Sequence, residues 1–173
     1  MPMANAFAAE PAAEPAGFAD LESRAHDAQH ESLRLWLRLL SCTQLVENEV
    51  RSRLRLTFDI TLPRFDLLAQ LERHPKGLKM GELSRRMMVT GGNVTGITDQ
   101  LVAEKLVKRT PMRGDRRAFL VSLTPSGKRA FGKMAAAHES WMVELLGGLS
   151  ERDREQLNRL LGKVKKHIQG EVK

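Results

Sequence analysis

Cysteine occurs once in these 173 residues, as Cys42, which excludes an intramolecular disulfide and any metal site built from several thiolates. Long apolar runs are missing as well, since nothing approaches the roughly 18 residues of a membrane-spanning helix. The leading segment has neither a basic start nor a compact apolar block, so a soluble, unexported protein of the reducing cytoplasm is expected, with no membrane partner. No Gly-rich phosphate loop follows a strand, and there is no nucleophile elbow and no pair of carboxylates in a pocket-like setting. No enzyme, no catalytic residues, no cofactor and no resident metal are therefore expected. Acid is in short supply too: Lys+Arg number 28 against 21 Asp+Glu, a formal net charge of +7. Such a surplus favours a polyanionic partner, nucleic acid ahead of an anionic membrane surface.

What is present is concentrated in residues 80–124. Met80, Leu83 and Met87 fall at i, i+3 and i+7, the apolar stripe of a short helix whose other faces carry Glu82, Arg85 and Arg86. After Val89, Thr90 is placed to cap a second helix in which Val94, Ile97 and Leu101 share a buried face. The opposite face holds Gly91, Gly92, Asn93, Thr95, Gly96, Asp99 and Gln100. Each glycine in a helix interior costs roughly 1 kcal/mol against alanine, so stability alone does not account for three of them. Close approach to a DNA groove does: small residues let the backbone near the phosphates while Asn93, Thr95 and Gln100 reach base edges or phosphate oxygens.

A two-stranded hairpin follows. Leu106, Val107, Lys108 and Arg109 lead into a polar loop over 110–117, and Phe119, Val121 and Leu123 alternate with Leu120 and Ser122 on the way out. Its loop and shoulders gather Lys105, Lys108, Arg109, Arg113, Arg116 and Arg117, opposed at the tip by Asp115. A basic hairpin beside a helix pair suits phosphate attraction and insertion of an arginine into the minor groove. Helix, turn, helix and hairpin in this order make a winged helix-turn-helix, and double-stranded DNA is the expected partner.

Around this module the pattern is helical, giving a mainly α fold with a small β-wing. Residues 1–30 read as an acidic N-terminal arm, Ala/Pro/Glu-rich and disordered at least to 17. Residues 31–60 form a dimerisation helix and its connection, with Leu33, Trp36, Leu37, Leu40, Val46, Val50 and Leu54 as apolar members. The DNA-binding module spans 61–124, opening on a helix started by Thr61 and Pro63 and ended by His74, Pro75 and Gly77. Residues 125–173 supply C-terminal dimerisation helices. Thr124 and Pro125 begin the first, on which Phe131, Met134, His138, Trp141 and Leu145 share a face. Ser150 and Asp153 form a capping box before Leu157, Leu160, Leu161, Val164 and Ile168. Terminal helices apolar on more than one side imply a homodimer. It would present two reading helices to a pseudo-palindromic site with half-sites roughly 10 bp apart.

The runs LPRFDLLAQL, MGELSRRM, TGGNVTGITDQLVAEKLVKR and GDRRAFLVSLTPSG together resemble MarR-family transcriptional regulators. The likeness is close over the winged module and covers the terminal helices by pattern. Asp115, Arg117, Leu123 and Thr124 match that family's Asp-x-Arg wing followed by Leu-Thr. The resemblance implies Arg117 or Arg116 as the minor-groove arginine, Asp115 as its organiser, and 90–100 as the reading helix. It also implies a triangular dimer that represses a nearby operon and releases DNA when a small molecule binds. The wording TGGNVTGITDQLVAE is similar to regulators of aromatic-acid catabolism, which suggests an aromatic acid or an aryl-CoA thioester as effector. Trp36, Arg38, His138 and Trp141 combine apolar bodies with polar ends and are the pocket candidates, and Arg34, Arg51, Arg53 and Arg55 could also meet an anion.

Three other readings compete. His26 and His30 stand four apart beside Glu31, a spacing that can hold a metal, although an exposed or structural role suits the acidic start of a helix better. Cys42 could sense oxidants, but beside Leu39 and Leu40 it reads as a small buried hydrophobe, and the chain has no tyrosine to support a reactive thiol as in peroxide-sensing members of the family. An architectural protein would coat DNA through phosphates alone and be nearly blind to sequence.

Overall fold

The computed structural model describes residues 30–88, 90–112 and 115–170, with 115–118 described by their backbone alone. The arm over 1–17, His26 of the histidine pair and Arg113 of the wing lie outside the described residues. Contacts divide the chain into two units, Met1–Glu49 and Val50–Lys173. Helix α1, Glu31–Phe58, contributes its leading turns to the first and its last turns to the second. In the first unit Leu33, Leu35, Trp36 and Leu45 are exposed. Cys42 is exposed too, contrary to the buried thiol expected; Leu39 and Leu40 beside it are themselves only half-buried.

In the second unit α2, Leu62–Glu72, forms the floor. Thr61 precedes it in extended conformation and a proline lies in its first turn, where the missing N–H costs nothing. Phe65, Leu67, Leu68 and Leu71 are all buried, so the apolar stripe is wider than the periodic residues suggest. Gly77 then turns the chain at φ +87°, and a Cβ there would lie 2.8 Å from the carbonyl oxygen of Val121. Only glycine permits both the turn and this close approach.

That approach creates a strand absent from the sequence reading. Strand β1, Leu78–Lys79, pairs antiparallel with β3, Asp115–Leu123, and β3 pairs antiparallel with β2, Val107–Met112. The wing is thus three-stranded, in the order β1-β3-β2. Two residues are too short to show a period of two. Pairing also runs further than the polar loop expected over 110–117, through Thr110↔Leu120 and Pro111↔Phe119 to an irregular step at Met112↔Asp115. Main-chain hydrogen bonds are indifferent to side-chain polarity, so a polar segment extends the strands readily.

Helices α3, Met80–Met87, and α4, Gly91–Ala103, lie between β1 and β2. Leu83, Val94 and Leu101 are fully buried, and so is Thr98, whose hydroxyl is satisfied by donating to the Val94 carbonyl at 2.7 Å. Ile97, expected in the core, is half-buried at the margin of that face. Val121 and Leu123 complete the core from β3, while Phe119 is exposed nearer the tip.

Helix α5, Pro125–Leu145, starts as its sequence indicates, the Thr124 hydroxyl accepting from the Gly127 N–H at 3.0 Å. Phe131 packs on Phe65 with ring centroids 5.5 Å apart. Helix α6, Glu151–Ile168, opens on the capping box of Ser150 and Asp153, and none of its residues is buried.

Candidate nucleic-acid interface

The candidate reading face lies on α4. Thr90, Gly91, Gly92, Asn93, Thr95, Gly96 and Gln100 are all exposed, as the pattern requires. A Cβ added at Gly91, Gly92 or Gly96 would meet nothing within 4 Å. Packing among the described residues therefore does not demand these glycines. Thr90 occupies the cap position without a side-chain cap hydrogen bond, so its hydroxyl is not committed to the helix start. Thr95 differs: its hydroxyl donates to the Gly91 carbonyl at 2.9 Å, leaving its methyl and remaining acceptor capacity outward. The start of α4 also concentrates unpaired N–H groups at the positive end of the helix dipole, favourable to a phosphate.

Charge around this face is arranged in pairs that polarity alone did not reveal. Arg109 of β2 contacts Asp99 of α4 at 2.6 Å, so the acid on the reading face is answered by the wing. On α3, Arg86 holds Glu82 one turn away at 2.8 Å. The Arg86 hydrogen bonds, with its charge, hold the Glu82 carboxyl below its ordinary pKa. Lys79, Arg85, Lys105 and Lys108 remain exposed on the same module. Asp115, Arg116 and Arg117 lie on β3 by their backbone.

The turn joining α4 to β2 is fastened from behind. Thr124 and Ser126 both donate hydroxyl hydrogen bonds to the Lys105 carbonyl, at 2.7 and 2.9 Å, and the Thr124 N–H donates to Leu106 at 3.0 Å. Gly127 permits this docking, because a Cβ there would lie 1.9 Å from the Leu106 carbonyl oxygen. Lys105 itself sits at φ +59°. The end of the reading helix is therefore set by the start of α5. Arg64 of α2 adds an ion pair to Glu104, the residue that caps α4.

The MarR family profile matches residues 58–118. The chain is 31% identical over 105 residues to the HTH-type transcriptional repressor MdtR of Bacillus subtilis, spanning 61% of this chain and 67% of that relative. A MarR family transcriptional regulator from Silicibacter pomeroyi has the same fold at a TM-score of 0.70 and 32% identity, over 82% of this chain and 98% of its own. The chain belongs to the MarR family. It is a transcriptional regulator of that family, with the family's winged helix-turn-helix. A variant of MarR from Escherichia coli complexed with operator DNA is also similar, with a TM-score of 0.68 and 26% identity over 80% of this chain and 98% of that one.

The four residues expected to line an effector pocket fare differently. Trp36 and Arg38 stand exposed on the first unit's stretch of α1. In the second unit His138 and Trp141 are half-buried on one face of α5, with ring centroids 5.1 Å from Phe65 and 6.2 Å from Phe58. Both rings are engaged in packing. Among the described residues no group of three or more His, Cys, Asp or Glu could hold a metal ion, and no helix is long and apolar enough to cross a membrane.

Proposed function

We propose that the chain acts as a homodimeric, sequence-specific repressor, laying α4 in the major groove and probing the minor groove with its wing. The observation that carries this reading is the exposed glycine face of α4, where the fold itself places no limit on side-chain size. The operator complex of the Escherichia coli MarR variant and the repressor description of MdtR support it. Dimerisation is supported by α6, whose apolar residues Leu157, Leu160, Leu161, Val164 and Ile168 are all exposed. Contiguous apolar surface of this kind marks an association face.

The reading includes release by a small anionic aromatic effector or its CoA thioester. Fluorescence anisotropy tests the whole proposal at fixed salt, with DNA from upstream of the gene, a scrambled duplex of equal composition, and aromatic acids with their thioesters. Preference for the upstream duplex, relaxed in Asn93→Ala and abolished by one ligand, is the expected result. Equal binding to both duplexes, unmoved by any ligand, would identify a DNA-coating protein instead.

The exposure of Cys42 supports a second reading, control through oxidation of that thiol. Peroxide that releases DNA from the wild type but not from Cys42→Ser would select it.

A further inference from the structure

Pro111 of β2 and Phe119 of β3 lie opposite one another in the ladder of the wing. Both are exposed, Phe119 at 36%. Residues paired across antiparallel strands share a face, and so do residues two apart along one strand. The Arg109↔Val121 pair therefore occupies the same face, one step nearer the root. That face is turned toward the reading helix, since Val121 is fully buried in the core and Arg109 reaches Asp99 of α4. Strand β1 ends at Lys79, opposite Leu120, so among the described residues the ladder from Phe119 outward consists of β2 and β3 alone.

A lone exposed apolar residue is ordinary on a protein surface. An apolar pair facing across the ladder at the basic end of a hairpin is not. Lys108 is exposed beside it, and Arg116 and Arg117 stand just before Phe119 in sequence. Proline also deprives β2 of a backbone donor, which is tolerated because β2 lies at the edge of the sheet. In duplex DNA a sugar–phosphate strand separates the major groove from the minor. With α4 in one groove and the wing in the other, that strand passes between them, across the face that carries Arg109, Pro111 and Phe119. Cations answer its phosphates. The apolar pair matches what carries no charge, the hydrocarbon edge of the deoxyribose.

We propose that Pro111 and Phe119 form a sugar clip, packing on deoxyribose rings of the strand that separates the two grooves. The clip positions the wing on the duplex and reads no base, so it acts on any sequence. It rests on the DNA-binding role proposed above, but not on the preference for an operator.

Two readouts on the full-length protein test the clip. Anisotropy titrations over a salt series, on the upstream and the scrambled duplex, compare the wild type with Phe119→Ser and Phe119→Leu. Hydroxyl radicals, which cut DNA where deoxyribose hydrogens are open to solvent, map the covered sugars. Phe119→Ser should weaken binding to both duplexes about tenfold with the salt slope unchanged, because no phosphate contact is lost. Protection should vanish at a few sugars beside the minor groove and persist elsewhere. Phe119→Leu, still apolar, should recover most of the affinity and the protection. Pro111→Ser attacks the clip from the facing strand and should give the same pattern, even if Phe119→Ser fails to fold. A slope that falls together with the affinity would mean that the pair only props the basic residues of the wing, and overturns the proposal. An unchanged footprint, or affinity within about twofold of the wild type in both serine variants, overturns it as well. A wild type that binds the two duplexes equally overturns the operator-specific reading alone, since either duplex still tests the clip. A wild type that binds neither overturns both.

Discussion

Arg109 of the wing reaches back to Asp99 of the reading helix, nitrogen to oxygen 2.6 Å. The pair joins the two elements proposed to enter neighbouring grooves. Both side chains are partly exposed, so the pair contributes under about 1 kcal/mol to folding. Asp99→Asn is expected to unfold almost as the wild type does. Its affinity for random DNA should rise, with a salt dependence steeper by about one unit, because a negative charge leaves the DNA face and Arg109 is freed for phosphate. Preference for the operator should narrow as this link between helix and wing is lost. Titrations across a salt series check all three.

Gly92 and Gly96 separate stability from function. A methyl group at either position meets nothing within 4 Å among the described residues, and alanine favours a helix over glycine by about 0.8 to 1 kcal/mol. Gly96→Ala should therefore raise the urea midpoint while lowering operator affinity. A stabilised variant with undiminished DNA binding would remove the argument that these glycines serve close approach.

Gly127→Ala should do the reverse of a surface change. Its methyl would overlap the Leu106 carbonyl, 1.9 Å away, with backbone on both sides of the clash. The turn at Lys105 must shift, at a cost of about 3 kcal/mol. Chemical denaturation measures the loss, and residual folded protein should bind the operator poorly because the end of α4 has moved.

Glu144 provides a pH test. Arg53 grips its carboxylate with two hydrogen bonds, at 2.7 and 2.8 Å, which together with the guanidinium charge hold its pKa below the ordinary 4.5. A carboxylate whose pKa is lower when folded adds stability above 4.5 and loses it as the pH falls through the lowered value. Wild type should thus exceed Glu144→Gln in thermal midpoint at neutral pH, and the two should converge in acid. A difference independent of pH would mean that shape rather than charge matters there.

Much of this architecture is legible in local chemistry. Thr61 with Pro63, Thr124 with Pro125, and Ser150 with Asp153 each mark a helix start through neighbours a few residues apart. The outward glycine face and the inward Val94 and Leu101 follow from one helical period. What was illegible depends on partners from elsewhere in the chain. β1 exists because β3 offers it an edge, and Gly127 is needed because Leu106 docks on it. Asp99 read as one more polar residue on the DNA face, and Arg109 as one more free cation, until folding brought them together. Arg64 and Glu104 are 40 residues apart and show no shared period. His138 and Trp141 have the mixed character of ligand-binding residues, but aromatic neighbours already occupy their rings.

The Thr124 N–H and the Leu106 carbonyl meet at 3.0 Å, closing the hairpin at its root. Everything between them is a closed loop whose ends no longer depend on its length. Lengthening such a loop is cheap, each doubling costing only about 0.6 kcal/mol in closure entropy. Residues inserted at the tip would leave the end of α4 where it is. The length of this hairpin can therefore change without displacing the helix proposed to read the bases.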